Sequence, residues 1–259
     1  MPDSFYEADG DLYVSTELTR GPWDPEAQHA GPPAALLGRE VERLVEAESF
    51  HVARITFEIL RSVPLAPLSV EARITRPGRR VQLIDATLAD EDGVVMRATA
   101  WRLRTKTVEL PDLPRAPAPP GPEEGEPGEF PDLGYDVGYQ RAMESRFVKG
   151  AFMEPGPATV WMRMRVPLVA GEDPSPLQRV LAAADSGNGV SATLDWRRFL
   201  FINVDLSVHL ERMPVGEWVC LDAVTLPQPD GVGLADTLLF DREGRVGRAL
   251  QSLLVAERD

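Results

Sequence analysis

The chain spells out part of its fold twice. The stretch "LRSVPLAPLSVEARI" (60–74) aligns with "LERMPVGEWVCLDAV" (210–224) at a shift of 150 residues. Further on, "ATLADEDGVVMRATAWRLR" (86–104) aligns with "TLLFDREGRVGRALQSLLV" (237–255) at a shift of 151. Pro64 pairs with Pro214, Asp90 with Asp241, Gly93 with Gly244 and Arg97 with Arg248. Each copy reads as a strand, a Pro-containing turn, a strand, a longer connection, a strand, an acidic-Gly hairpin turn and a last strand. Solenoid arrays repeat at far shorter periods, so this repeat predicts a duplicated domain.

One helix precedes the strands in each copy. "GPPAALLGREVERLVE" (31–46) has Pro in its first turn and Leu37, Val41, Leu44 and Val45 on one stripe. In "SPLQRVLAAADSG" (175–187), Ser175 is the expected N-cap, Pro176 the first helical residue and Gly187 the stop. Its apolar stripe is Leu177, Val180, Leu181 and Ala184. One long helix plus a curved antiparallel sheet in each half is an α+β architecture. Between the halves, "PDLPRAPAPPGPEEGEPGEFPDLG" (111–134) carries too much Pro, Gly and Glu to order itself by burial. The expected organisation is a first unit over 1–108, an extended linker over 109–136 and a second unit over 137–259.

A formal charge of −14 argues against duplex nucleic acid and anionic lipid as partners. Arg73, Arg76, Arg79 and Arg80 form a local basic group that could still receive a small anion. Cys220 is the single cysteine, which removes intramolecular disulfides and thiolate clusters. The sequence holds three histidines without paired spacing, so no metal site is expected. No apolar run approaches the roughly 18 residues of a membrane span, and "MPDSFYEADG" has no basic apolar leader. A cytoplasmic setting is the expectation. Neither a G-x-S-x-G elbow nor a Gly-rich phosphate loop is present.

"QHAGPPAALLGR", followed by "ITFEILRSVPLAPLSVEARITRPGRRVQLIDATLADEDGVVMRATAWRL", resembles the N-terminal half of double hotdog acyl-CoA thioesterases. The C-terminal half resembles their second hotdog unit. The resemblance implies two tandem hotdog units, each with a long helix wrapped by a curved sheet, and an acyl-CoA or acyl-carrier substrate without a cofactor. In type II members, an Asp at the end of the second helix, a Thr on the next strand and a Gln in the last strand activate the attacking water. By resemblance, the Asp falls on Asp185 in "LAAADSGNG" and the Gln on Gln251 in "RALQSLL". The Thr position falls on Asn203 in "FINVDLSVHLER", a departure, and a shift of one or two residues would bring Asp205 or Ser207 there instead. Asp185 would then accept the water's proton. His29 and Gly31, at the entry to the first helix, would lie against the substrate, with backbone N–H groups near Gly31 stabilising the thioester oxygen.

The residues themselves leave two points open. Asp185 follows Leu177 and Leu181 on the buried stripe, where a carboxylate in the last turn opposes the helix dipole. Either it has a function, or the helix has already ended and Asp185 caps a polar loop with Ser186 and Asn188. Gln251 has its own control: its counterpart in the first copy is Ala100, so the fold does not require an amide there. The second open point is register. At a shift of 150, Asp205, Ser207 and His209 fall opposite the apolar Ile55, Phe57 and Ile59. Either the strand has slipped by one residue or a polar cluster has replaced core. The function expected is thioester hydrolysis. A non-catalytic acyl-thioester-binding protein is the alternative, as a monomer or a homodimer.

Overall fold

The computed structural model describes residues 3–44, 50–112 and 116–258. The first half contains β1 (Tyr6–Asp9), β2 (Leu12–Ser15), α1 (Gly31–Arg43), β3 (Phe50–Ile59), β4 (Pro67–Arg76), β5 (Val81–Asp90) and β6 (Gly93–Arg104). After it come β7 (Glu126–Pro127), α2 (Gly138–Ala142), β8 (Met143–Ala151), β9 (Glu154–Met164), α3 (Pro176–Ala184) and α4 (Gly187–Val190). The chain finishes with β10 (Phe199–Asn203), β11 (Asp205–Leu210), β12 (Val219–Pro227), β13 (Val232–Asp241) and β14 (Gly244–Glu257).

All the strands join one antiparallel sheet in the order β1-β2-β4-β5-β6-β3-β11-β14-β13-β12-β9-β8-β7, with β10 also on β14. The duplication is visible in that order. β4-β5-β6-β3 from the first copy meets β11-β14-β13-β12 from the second, and the two run in mirrored sequence outward from the central β3–β11 pair. The hairpin turns match too. Gly93 and Gly244 adopt φ of +115° and +122°, where a side chain is disfavoured. Ahead of each turn an Asp carboxylate holds an Arg, Asp90 with Arg61 and Asp241 with Arg212. The Asp correspondence is already in the alignment, whereas Arg61 and Arg212, also at a shift of 151, fall out of step where the segments are aligned at 150.

The register question is settled by β11. Its Leu206, Val208 and Leu210 are buried, while Asp205, Ser207 and His209 alternate outward. Ser207 stands opposite Thr56 in β3 and its hydroxyl meets Thr56 Oγ1 at 3.0 Å. The strand therefore follows the shift of 151, and no polar cluster replaces core. Along β10 the inward parity is the opposite, with Phe201 buried and Val204 exposed. Asn203 pairs with Leu253 and Ser207 with Leu250, so one extra residue is inserted on the β10–β11 side. Such a bulge bends the strand and re-aims side chains. It turns Asn203 inward.

The two main helices pack on each other, α1 also against β4 and β5 and α3 against β9 and β12. Gly31 and Gly38, two turns apart on α1, face α3, and a Cβ on Gly38 would collide with the Leu181 side chain. α1 is buried on all sides through Arg39, beyond the single stripe that periodicity suggests. Arg39 is accommodated by Glu172 and by Tyr13 OH at 2.6 Å. Val45 and Glu46 of the expected helix lie outside the described residues.

Ser175 caps α3 as expected, accepting from Gln178 N at 3.1 Å. The helix is short, however, at nine residues. It stops at Ala184, with Asp185 as C-cap, and Gly187 opens α4 instead of ending α3. Over 120–130 the linker segment is held against the second half. Trp161 Nε1 donates to Pro120 O at 2.6 Å, β7 pairs with β8, and Phe130 sits edge-on to Phe152 at 5.1 Å. Low apolar content left it unable to order itself, and it borrows its order from this surface. No helix among the described residues is long and apolar enough to cross a membrane.

Candidate active site

α3, α4, β10 and β14 bring polar groups to the corner between α3 and α4. Asp185 ends α3 with its residue 4% exposed. Asn203, turned inward by the bulge, donates from Nδ2 to Asp185 Oδ1 at 2.8 Å. Gln251, between Ala249 and Leu253 on the inner face of β14, donates from Nε2 to the same Oδ1 at 3.2 Å and to Asp185 O at 3.1 Å. Its Oε1 accepts from Asn188 N at 3.2 Å. Gln251 thereby satisfies one carbonyl at the end of α3 and one N–H at the start of α4, groups that helix ends leave unpaired. The buried amide has all the partners its position requires.

The other carboxylate oxygen faces the first half. His29 Nδ1 lies 3.1 Å from Asp185 Oδ2 and also 3.1 Å from Gly31 N. A ring nitrogen serves one of these partners at a time. With its proton it donates to the carboxylate, and without it accepts from Gly31. The imidazole stacks on Tyr139, ring centroids 3.7 Å apart and planes within 6°. Tyr139 OH is fixed by Ala182 O at 2.7 Å and Ser186 Oγ at 2.8 Å. Burial pushes the His29 imidazole below its ordinary value of 6.5, opposed by the Asp185 charge. Burial also raises the Tyr139 phenol, which stays neutral.

The structure thus brings together Asp185, Asn203, Gln251, His29 and Gly31. Asp205 is elsewhere: its carboxylate accepts from Ser252 N at 2.5 Å. At the entry to α1, Pro32 and Pro33 carry no N–H, and Ala34 N donates to Ala30 O at 2.9 Å. Backbone donors there are scarcer than at an ordinary helix start.

A small void adjoins the cluster and a larger one lies beyond it. A space of about 20 Å³, enough for one water, is bordered by His29, Ser186, Asn188, Phe130 and Trp196. A cavity of about 810 Å³ lies beyond it, lined by Leu133, Tyr135 and Met153 with Arg197 and Arg258. Pro22, Trp23, Phe152 and Trp196 border both. The Trp23 and Trp196 rings stack at 4.7 Å, with Phe201 edge-on to each. Trp196 Nε1 is buried without a partner among the described residues. The Arg73–Arg80 group borders neither void. Tyr139, Trp23 and Trp196 escaped the sequence reading because nothing in their local pattern distinguishes a wall of this corner from ordinary core.

This arrangement can be set beside known proteins. The pattern described as "Acyl-CoA thioesterase N-terminal domain" matches residues 19–103, and "Acyl-CoA thioesterase C-terminal domain" matches residues 111–255. The chain belongs to the acyl-CoA thioesterase family. No curated protein matches it. Among solved structures, this thioesterase family member is similar to a hot dog fold protein of unknown function from Alicyclobacillus acidocaldarius. That likeness has a TM-score of 0.75 at 15% identity, covering 99% of this chain and 97% of the other. It is also similar to an acyl-CoA thioesterase II from Mycobacterium marinum, with a TM-score of 0.69 at 18% identity, covering 97% and 95%. At these identities the likeness establishes the hotdog fold. Within this family member, the first copy has no equivalent of the amide–carboxylate arrangement, since Ala100, the counterpart of Gln251, packs in apolar core.

Proposed function

We propose that the protein is a double hotdog hydrolase, with units over 1–108 and 137–259 joined by 109–136, that cleaves a fatty acyl-CoA or related acyl-carrier thioester with water. The observation that carries this is the buried Asp185 carboxylate gripped by Asn203 and Gln251 and touched by His29, which borders a water-sized void sharing its aromatic wall with a larger cavity. Water held at this corner attacks the thioester carbonyl, and the Asp185 centre takes up the proton that the water loses. The acyl-thioester portion occupies the 810 Å³ cavity, within the usual range for small-molecule sites. Arg197 and Arg258 at its border, which Asp132 and Asp195 share, are the groups that would meet the phosphates of CoA.

A non-catalytic acyl-thioester-binding protein is the second reading. It is favoured by Asn203 where the family has a hydroxyl, and by the two bonds Gln251 makes to main chain. Thiol release from a panel of acyl-CoAs of different chain length separates the two. A hydrolase turns over at least one substrate, and Asp185→Asn lowers the rate at least ~100-fold without altering the thermal melt. Binding without release of thiol from any substrate would establish the second reading.

A further inference from the structure

On the hydrolase reading, we propose that His29 is the catalytic base that touches the attacking water, with Asp185 acting through it as a positioning residue. Asp185 Oδ1 already accepts from two amides, Asn203 at 2.8 Å and Gln251 at 3.2 Å. Oδ2 is turned to His29 Nδ1 at 3.1 Å. The water-sized void is bordered by His29 and not by the carboxylate. The imidazole therefore stands between the negative charge and the space a water can enter.

The local chemistry fixes which nitrogen does the work. Nδ1 lies between a carboxylate oxygen and the Gly31 N–H, and a charge-assisted bond to Asp185 outweighs a neutral one from Gly31. The ring then carries its proton on Nδ1 and leaves the Nε2 lone pair bare, as carboxylate partners of imidazoles commonly arrange. Nε2 makes no hydrogen bond among the described residues, and 10% of the side chain stays accessible. The ring cannot swing away. Its backbone N–H is tied to Thr19 O at 2.8 Å, and its face lies on Tyr139. This tautomer also releases the Gly31 N–H from Nδ1 and makes it available to a ligand oxygen.

In the step this implies, water gives a proton to His29 Nε2 while its oxygen bonds to the thioester carbon. The tetrahedral species then breaks its C–S bond. The departing thiolate sulfur takes the proton back from Nε2, leaving a carboxylic acid, a thiol and the starting imidazole. Nothing beyond water is consumed. The titratable groups facing His29 are Asp185 from the end of α3 and Tyr139 from α2; Ser186, Asn188 and Gln140 nearby are uncharged.

The test uses the full chain and a thiol-release assay on the acyl-CoA that the wild type hydrolyses best. His29→Gln is expected to lose at least ~100-fold in kcat, with KM changed less than about threefold and an unchanged melt. The wild-type kcat/KM profile should fall on the acid side of neutrality, and that limb should be missing from the residual activity of H29Q. Nitrogen-detected NMR of the imidazole should show Nδ1–H with a bare Nε2 in the wild type, and loss of that preference in Asp185→Asn. If H29Q does not fold, His29→Asn and the NMR measurement carry the test. Thiol release by wild type and H29Q alike, or an Nε2–H tautomer in the wild type, overturns the proposal and leaves the hydrolase reading standing. No release by the wild type from any acyl-CoA overturns both.

Discussion

Gly31→Ala is the substitution most sharply determined by the way the two halves meet. A Cβ at this position would collide with the carbonyl oxygen of Ala182 in α3 and lie 3.1 Å from His29 Nδ1. The collision falls about 1 Å short of an ordinary carbon–oxygen contact of ~3.5 Å. The obstacle is helix backbone, so α1 and α3 must separate for the methyl to fit. Overpacking of this kind costs roughly 1–3 kcal/mol, partly offset by the better helix propensity of Ala. At about 2–4 °C per kcal/mol for a chain of this size, the melting temperature should fall by roughly 2–12 °C before that offset. The catalytic consequence is larger, because Asp185 follows Ala182 by one turn while His29 precedes Gly31. A separation of about 1 Å between reacting groups can cost ~100-fold in rate. Gly38→Ala is the control: its Cβ meets a flexible Leu181 methyl on the same interface, farther from the site. Thermal melts and thiol release on the two variants check this. Wild-type stability and turnover in G31A, or a greater loss in G38A, would refute the account of how α1 and α3 meet.

Three further outcomes follow from buried titratable groups. Burial holds the folded His29 below its ordinary 6.5, with Asp185 opposing, so the unfolded chain takes up the proton first as pH falls. Stability should decline as pH drops from 6.5 toward the lowered value and level off below it, and H29Q, measured by denaturant titration, should lose this component. Burial alone would raise Asp241, yet bonds from Arg212 and from the backbone N–H groups of Val215 and Glu243 bring it below the usual carboxylate range. Its contribution is therefore present above that range and lost as pH falls through the lowered value. Asp241→Ala should cost about 3 kcal/mol, the lower end for a buried pair because Arg212 keeps 30% of its side chain exposed; an unchanged denaturation midpoint would contradict this. Cys220 is fully buried, and burial, then Asp222, pushes its thiol up. Thiol reagents should label it on unfolding and not before, which leaves a thiol-release assay free of background from the folded protein.

Much of the architecture was legible because its signals are local. The hairpins are announced by Asp90 with Gly93 and Asp241 with Gly244, and the start of α3 by Ser175 and Pro176. The contrast between Gln251 and Ala100 marked the second copy as the one carrying polar groups. Other features depend on contacts that no window of sequence contains. Gly187 looked like a helix stop because glycine usually is one, yet here a Cβ would collide with Thr237 and approach Gln251 Oε1 at 3.2 Å, so the residue is needed for close approach. Asn203 reaches Asp185 through an inserted residue that alternation alone would have ruled out.

The sequence by itself determined the duplication, the strand and turn grammar of each copy, and which residues were out of place in an apolar setting. Periodicity and turn chemistry are read within a few residues, and the chain states them directly. The tertiary structure decided the register across β10 and β11, the length of α3, and the meeting of His29 from one half with Asp185 from the other. Those depend on how the two halves of one sheet close around a helix pair, where a single ångström or one bulged residue settles which side chains touch.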